Sequence, residues 1–119
     1  MDVPGAFGET VRALRTERVL LPFAVQGFGK SRERIRLPFF GYVHLRVGRD
    51  RQNHPFADDR FIFQRDERGE LIGLRVPRGT TFAEGEALGT LNEQYHVHLI
   101  AGPVGAEANA FSVVEFPSI

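Results

Sequence analysis

Apolar and polar residues alternate in short runs along most of the chain. The alternation is clearest over residues 34–37 (Arg-Ile-Arg-Leu) and 42–47 (Tyr-Val-His-Leu-Arg-Val). A period of two places successive side chains on opposite faces of a β-strand. The runs with this character, rich in β-branched and aromatic residues, cover residues 18–26, 33–39, 42–47, 60–65, 70–76, 87–91, 95–101 and 111–116. The pattern therefore predicts an all-β fold.

Glycine and proline separate these runs so often that long helices have little room. Only residues 6–16 could hold a helical turn, and Gly8 and Thr10 favour equally a loop that enters a first strand. Residues 66–69 (Asp-Glu-Arg-Gly) join two runs and end in a glycine, so we expect a β-hairpin there. We expect the core to contain Val19, Leu21, Phe23, Ile35, Leu37, Val43, Leu45, Phe61, Phe63, Ile72, Leu74, Val76, Leu88, Leu91, Val97, Leu99, Val113 and Phe116.

Composition narrows the possible functions. The 119 residues carry 15 Lys and Arg against 15 Asp and Glu, and 42% of them are hydrophobic. This predicts one domain over residues 1–119 with a sizeable core and a polar insertion at about 48–60. Zero net charge argues against nucleic acid as a general partner. Because the chain has no cysteine, a metal would need His and carboxylate ligands. We also expect no membrane span and no export signal in this chain.

Two histidines stand two residues apart in residues 95–99 (Tyr-His-Val-His-Leu). In a strand, His96 and His98 lie on one face, where they could share a metal or act as ligand and general base. The alternative is a pair of surface histidines on the polar face of a strand. His44, in the run 42–47, could likewise be a cleft residue or a half-buried strand histidine.

Four segments together resemble a known family. They are residues 8–13 (Gly-Glu-Thr-Val-Arg-Ala), 42–45 (Tyr-Val-His-Leu), the pair of glycine-centred turns in 76–89, and 96–99 (His-Val-His-Leu). In this order they resemble the lysostaphin-like zinc metallopeptidases, which cleave peptide cross-links of bacterial cell walls. The resemblance covers nearly the whole chain. It implies the barrel-sandwich fold called the duplicated hybrid motif, a β-barrel of short antiparallel strands.

The resemblance also implies roles for individual residues. His98 and Asp2 match zinc ligands, His96 matches the general acid/base, and His44 matches a cleft histidine that stabilises the transition state. The family's first ligand, a histidine four places before the position of Asp2, has no counterpart in this chain. Two ligands are fewer than the three that catalytic zinc sites usually have. Any zinc site would therefore be weak or vestigial.

Two functions follow from the resemblance. The favoured one is a degenerate, non-catalytic domain that binds a peptide of the cell-wall type or a protein partner. The alternative is an active zinc endopeptidase that hydrolyses peptidoglycan cross-links, with the missing ligand supplied upstream or by another chain. The resemblance suggests the bacterial cell envelope as the location.

Three further patterns have simpler explanations. His54 and Asp58 form a His-x-x-x-Asp sequence, but it follows the strand of His44 instead of preceding the first strand, which favours a loop. Residues 24–31 match a permissive phosphate-binding loop without room for the helix that must follow, so we expect a glycine-rich hairpin. The basic run 30–36 is interpreted as the solvated face of a strand.

Overall fold

A computed structural model describes residues 1–21 and 24–103. In this part of the chain every strand pairing is antiparallel and there is no helix, so none is long and apolar enough to cross a membrane. The all-β prediction is confirmed. The strands are β1 (Asp2–Pro4), β2 (Thr10–Arg12), β3 (Glu17–Arg18), β4 (Val25–Gln26), β5 (Arg34–Arg36), β6 (Phe40–Val43), β7 (Leu45–Val47), β8 (Ile62–Arg65), β9 (Leu71–Arg75), β10 (Thr81–Phe82), β11 (Ala87–Leu91) and β12 (His96–Ala101).

The strands form one large sheet and three smaller ones. The large sheet has the order β1-β12-β6-β5-β4, and a second sheet has the order β2-β11-β7. β3 pairs with β10, and β8 pairs with β9. The large sheet ends at β1 on one side and at β4 on the other, each with a single neighbour among the described strands. The sheets are therefore not closed into the expected barrel.

Most predicted strands and the predicted hairpin are present. β8 and β9 form the hairpin around residues 66–69, and Gly69 has the expected positive φ of 84°. Residues 6–16 contain β2 and no helix. The run 18–26 is divided, because β3 pairs with β10 and β4 pairs with β5 in different sheets. The run 111–116 lies outside the described residues.

The predicted continuous strand over residues 42–47 was wrong. It divides into β6 and β7 at His44, whose φ is 79°. A non-glycine residue rarely adopts this left-handed conformation, which breaks the alternation of a strand. The chain passes at His44 from the five-stranded sheet to the three-stranded sheet.

The core lies against the inner face of the large sheet. Leu21 and Ile72 were wrongly predicted as core residues, since they are 45% and 57% exposed. Leu21 lies between β3 and β4, outside a strand, and Ile72 lies nearer the hairpin turn than Leu74, beyond the core. Phe63 and Leu99 pack only at its margin. Phe23, Val113 and Phe116 lie outside the described residues, and the other predicted core residues are buried: Val19, Ile35, Leu37, Val43, Leu45, Phe61, Leu74, Val76, Leu88, Leu91 and Val97.

A buried ion pair joins the segment 48–60 to the body of the fold. The Arg49 guanidinium pairs with the Glu33 carboxylate, and the two side chains are 2% and 1% exposed. Arg49 also donates to Oδ1 of Asn53 at 2.8 Å and lies over the ring of Phe28 at 4.1 Å. We call Glu33 and Arg49 the buried clamp. The predicted polar insertion is thus anchored through a buried charge.

Candidate functional site

The large sheet presents one row of side chains across all five strands. From β1 across the sheet to β4, the row consists of Asp2, His98, Val43, Arg34 and Gln26. Directly paired residues of antiparallel strands project from the same face of a sheet. The adjacent positions Tyr42 and Leu99 pack on the core, so this row occupies the opposite face. We call it the outer face.

Asp2 and His98, the two residues implied as metal ligands, are neighbours in this row. Nδ1 of His98 donates to Oδ1 of Asp2 at 2.8 Å. Their side chains are 46% (Asp2) and 17% (His98) exposed, so ligands can reach the pair. This hydrogen bond is the main reason that the pKa of Asp2 lies below its ordinary value of 3.8. Asp2 is therefore ionised at neutral pH.

The left-handed backbone of His44 brings its ring beside that of His96. In a regular strand His44 would project from the face opposite Val43, toward the core. Instead, the His44 and His96 ring centroids lie 4.7 Å apart. Three backbone hydrogen bonds hold this conformation: the N–H groups of His44 and Leu45 donate to the Glu33 carbonyl at 2.9 and 3.1 Å, and the Asn92 N–H donates to the His44 carbonyl at 3.0 Å.

His44, His96 and His98 each form a hydrogen bond through Nδ1 of the ring. Nδ1 of His44 lies 2.8 Å from the Ser31 carbonyl, and Nδ1 of His96 lies 2.7 Å from the Gln94 carbonyl. A carbonyl oxygen only accepts, so Nδ1 carries the proton in both. The same holds for His98, because its partner is an ionised carboxylate. In the neutral rings Nε2 is left as the lone-pair atom, which can accept a hydrogen bond, bind a metal or act as a base.

Burial adds to the neutral character of His44. The side chain is 9% exposed, and burial is the largest cause of a pKa below the ordinary value of 6.5. Electrostatic interactions with His96 and Arg32 also lower the pKa of His44, while the hydrogen bond to Ser31 raises it. His44 is therefore a neutral hydrogen-bonding group at physiological pH.

The described residues do not fit a complete zinc site. Over residues 1–21 and 24–103, no three His, Asp or Glu side chains are grouped so that they could hold a metal ion. The two implied ligands, Asp2 and His98, hydrogen-bond to each other instead. Catalytic zinc usually takes three protein ligands, so we derive no reaction step through a metal here.

The other candidate motifs do not form sites. The His54 side chain is 75% exposed and points toward Asp50, with Nδ1 3.9 Å from Oδ2. Asp58 instead pairs with Arg60 at 2.8 Å, so the His-x-x-x-Asp sequence does not converge. Residues 24–31 contain β4 and the start of its connection to β5, as expected for a hairpin, and β5 follows them in place of a helix.

Sequence analysis missed the arginines beside the histidines. Arg34 belongs to the same row as His98, and Arg32 precedes it on the same side of the run. Both line a cavity of about 250 Å³ on the outer face. The signal was present in the alternation Arg-Glu-Arg-Ile-Arg over residues 32–36, which was interpreted only as a solvated strand face.

Comparison with known proteins gives no match: no family model, curated protein or solved structure is similar to this chain at a significant level. The likeness to lysostaphin-like metallopeptidases therefore depends on the order of the sequence motifs.

Proposed function

We propose that this chain is a degenerate, non-catalytic relative of the lysostaphin-like metallopeptidases, and that its outer face binds a peptide of the cell-wall type. The proposal is carried by the contact between Asp2 and His98, which pairs the two implied ligands in a hydrogen bond at 2.8 Å. Such a pair suits recognition, since each partner keeps a polar atom for a ligand. The proposed location is the bacterial cell envelope.

The outer face has the groups that an extended peptide requires. Nε2 of His44, His96 and His98 can accept hydrogen bonds from peptide N–H groups, and the free carboxylate oxygen of Asp2 can do the same. The row from Asp2 to Gln26 crosses five strands. At a spacing of about 4.8 Å between strands it is about 19 Å long, which matches roughly six extended residues.

Backbone strain at His44 supports a role in binding. A left-handed non-glycine residue costs about 1–2 kcal/mol, and such residues cluster at functional sites. Tyr95, which directly precedes His96, also has a positive φ of 58°. Two of the three histidines are thus positioned by unusual backbone conformations.

The alternative is the active zinc endopeptidase. It is favoured by the three Nε2 atoms, because metal-binding histidines usually donate the other ring N–H to a carbonyl or carboxylate, as these do. It would require a further ligand and the loss of the Asp2–His98 hydrogen bond.

Calorimetry with zinc and mass spectrometry of cell-wall peptides separate the two functions. We expect the purified chain to bind soluble peptidoglycan fragments, to leave them uncleaved in the presence of zinc, and to bind zinc weakly. His98→Ala should lose fragment binding, whereas His54→Ala, which changes an exposed histidine outside the row, should keep it.

Two results would overturn the proposal. Submicromolar zinc binding that is lost in His98→Ala, together with zinc-dependent cleavage, would establish the endopeptidase. A folded chain that binds no fragment would reject peptide binding and leave a protein partner as the ligand of the outer face.

A further inference from the structure

A cavity on the outer face is lined by arginines. It has a volume of about 250 Å³ and lies over β5 and β6, beside the row that contains His98. The described residues that line it include no Asp or Glu. Its polar side chains on the outer face are those of Gln26, Arg32, Arg34 and Arg36. We call it the arginine pocket.

Burial separates the charges of the run 32–36, of which β5 covers residues 34–36. Arg32, Arg34 and Arg36 alternate with Glu33 and Ile35, which are 1% and 0% exposed. The Glu33 carboxylate is directed inward and pairs with Arg49 in the buried clamp. The one acidic residue of the run therefore does not neutralise the arginines that line the pocket. This explains how a chain with zero net charge presents a locally basic cavity.

Two of the arginines donate hydrogen bonds to backbone carbonyls. Nη1 of Arg34 donates to the Arg32 carbonyl at 3.2 Å. Arg36 is tied to the end of the sheet, with Nη1 donating to the Leu37 carbonyl at 2.7 Å and Nη2 to the Gly102 carbonyl at 2.8 Å. The carbonyl that accepts from Arg34 orients its guanidinium without cancelling the charge. Arg34 keeps N–H groups in the planar fork that matches a carboxylate.

The arginine pocket lies on the same face of the sheet as His98. Val43 pairs with His98 on one side and with Arg34 on the other. The two side chains are thus two strand spacings apart, about 10 Å, which is roughly three residues of extended peptide. Arg32 is close enough to His44 to contribute to the lowering of its pKa, after the larger effect of burial. A ligand that contacts both groups would pass over Val43, which is 2% exposed.

We infer that the arginine pocket binds a carboxylate of the peptide ligand, about three residues from the part of the peptide that contacts His98. This inference depends on the proposed function, because it names the chemistry of the ligand at the same face. A single concave pocket suits one carboxylate better than a nucleic acid, whose affinity comes from many phosphate contacts.

The first test examines the pocket without any peptide. The chain is labelled with ¹⁵N and titrated with succinate while the side-chain Nε–H signals of the arginines are followed by NMR. We expect saturable shifts at Arg34 that disappear in Arg34→Gln and persist in Arg75→Gln, which changes an exposed arginine of β9. Thermal unfolding verifies that both variants are folded. Unchanged Arg34 signals, or tighter binding of inorganic phosphate than of succinate, would overturn the inference.

The second test compares two hexapeptides that differ only in one Asp or Asn. The Asp peptide should bind about tenfold more tightly, the usual effect of one charge-assisted hydrogen bond, and Arg34→Gln should abolish the difference. Equal affinities would overturn the pocket assignment and leave peptide binding intact. Succinate binding without binding of either peptide would reject the proposed function and the peptide carboxylate with it. Tighter, Arg34-dependent binding of a short oligonucleotide would also overturn the inference.

Discussion

The two charged clusters of this protein differ in how completely they are enclosed. In the buried clamp, the side chains of Glu33 and Arg49 are at most 2% exposed. The outer-face cluster consists of Asp2, His44, His96 and His98. Its hydrogen-bonded pair is more exposed, with 17% of the His98 side chain and 46% of the Asp2 side chain accessible. The Glu33 carboxylate accepts hydrogen bonds from several partners, whereas each histidine uses one ring nitrogen. The hydrogen-bonding groups of the buried clamp are thus used within the protein. The outer-face cluster keeps polar atoms that a ligand could contact.

Glu33 connects the buried clamp to the outer-face cluster. Its carboxylate holds Arg49 and also accepts from the Val47 N–H at 2.8 Å, while its carbonyl accepts from the N–H of His44. The enclosed cluster therefore supports the strained backbone of the exposed one. Buried polar contacts here offset the cost of the left-handed backbone at His44.

Removal of Arg49 should have the largest effect on stability. Arg49→Met leaves the Glu33 carboxylate buried without its partner, which typically costs about 3–5 kcal/mol of the free energy of unfolding. Urea denaturation measures this. The control is Arg46→Met, which removes the exposed ion pair with Glu93 (3.4 Å) and should cost about 1 kcal/mol or less. Similar small losses in both variants would mean that the buried clamp does not hold segment 48–60.

A pair of substitutions at His44 tests the strain of the outer-face cluster. His44→Ala and His44→Gly both remove the ring, but only glycine adopts a φ of 79° without strain. We expect His44→Gly to be the more stable of the two by about 1–2 kcal/mol in urea denaturation.

The regular strand residue Val47 provides the matched control for His44. There the order should reverse, with Val47→Gly less stable than Val47→Ala by about 0.5–1 kcal/mol. If alanine is better than glycine at both positions, His44 is not strained and the comparison between the two clusters loses its basis.

The smallest effect is a shift in the titration of Asp2. NMR of the carboxyl carbon should give a midpoint below the ordinary pKa of 3.8, because the hydrogen bond from His98 favours the ionised form. The folded pKa is lower than the unfolded one. The associated stabilisation is therefore present above 3.8 and is lost as the pH falls through the folded pKa.

The variant His98→Ala should return the Asp2 midpoint toward 3.8, whereas His54→Ala should leave it unchanged. An Asp2 midpoint that is insensitive to His98 would show that the two side chains are not paired in solution.

Much of the fold and part of the candidate site were predictable. The alternation in residues 34–37 and the glycine at 69 indicated β5 and the β8–β9 hairpin, because both signals are local. The spacing of His96 and His98 placed both on one side of β12 for the same reason. The positions of Asp2 and His44 beside them were implied only by the family resemblance, which stays a prediction.

The break at His44, the buried clamp and the arginine pocket were not predictable. The alternation across 42–47 continues through His44, and nothing local marks its positive φ, which is held by the carbonyl of Glu33 and the N–H of Asn92. Glu and Arg are residue types that usually lie on the surface. Glu33 and Arg49 are buried because each pairs with the other. The arginine pocket exists because that pairing removes Glu33 from the outer face.

The sequence by itself determined the all-β class, the hairpin turn at Gly69 and the shared face of His96 and His98, because strand alternation and glycine φ preferences act over a few residues. Only the tertiary structure decided which charges are buried and which remain available to a ligand. Glu33 is buried because Arg49, 16 residues further along the chain, is folded against it, and Asp2 reaches His98 across 96 residues because β1 pairs with β12.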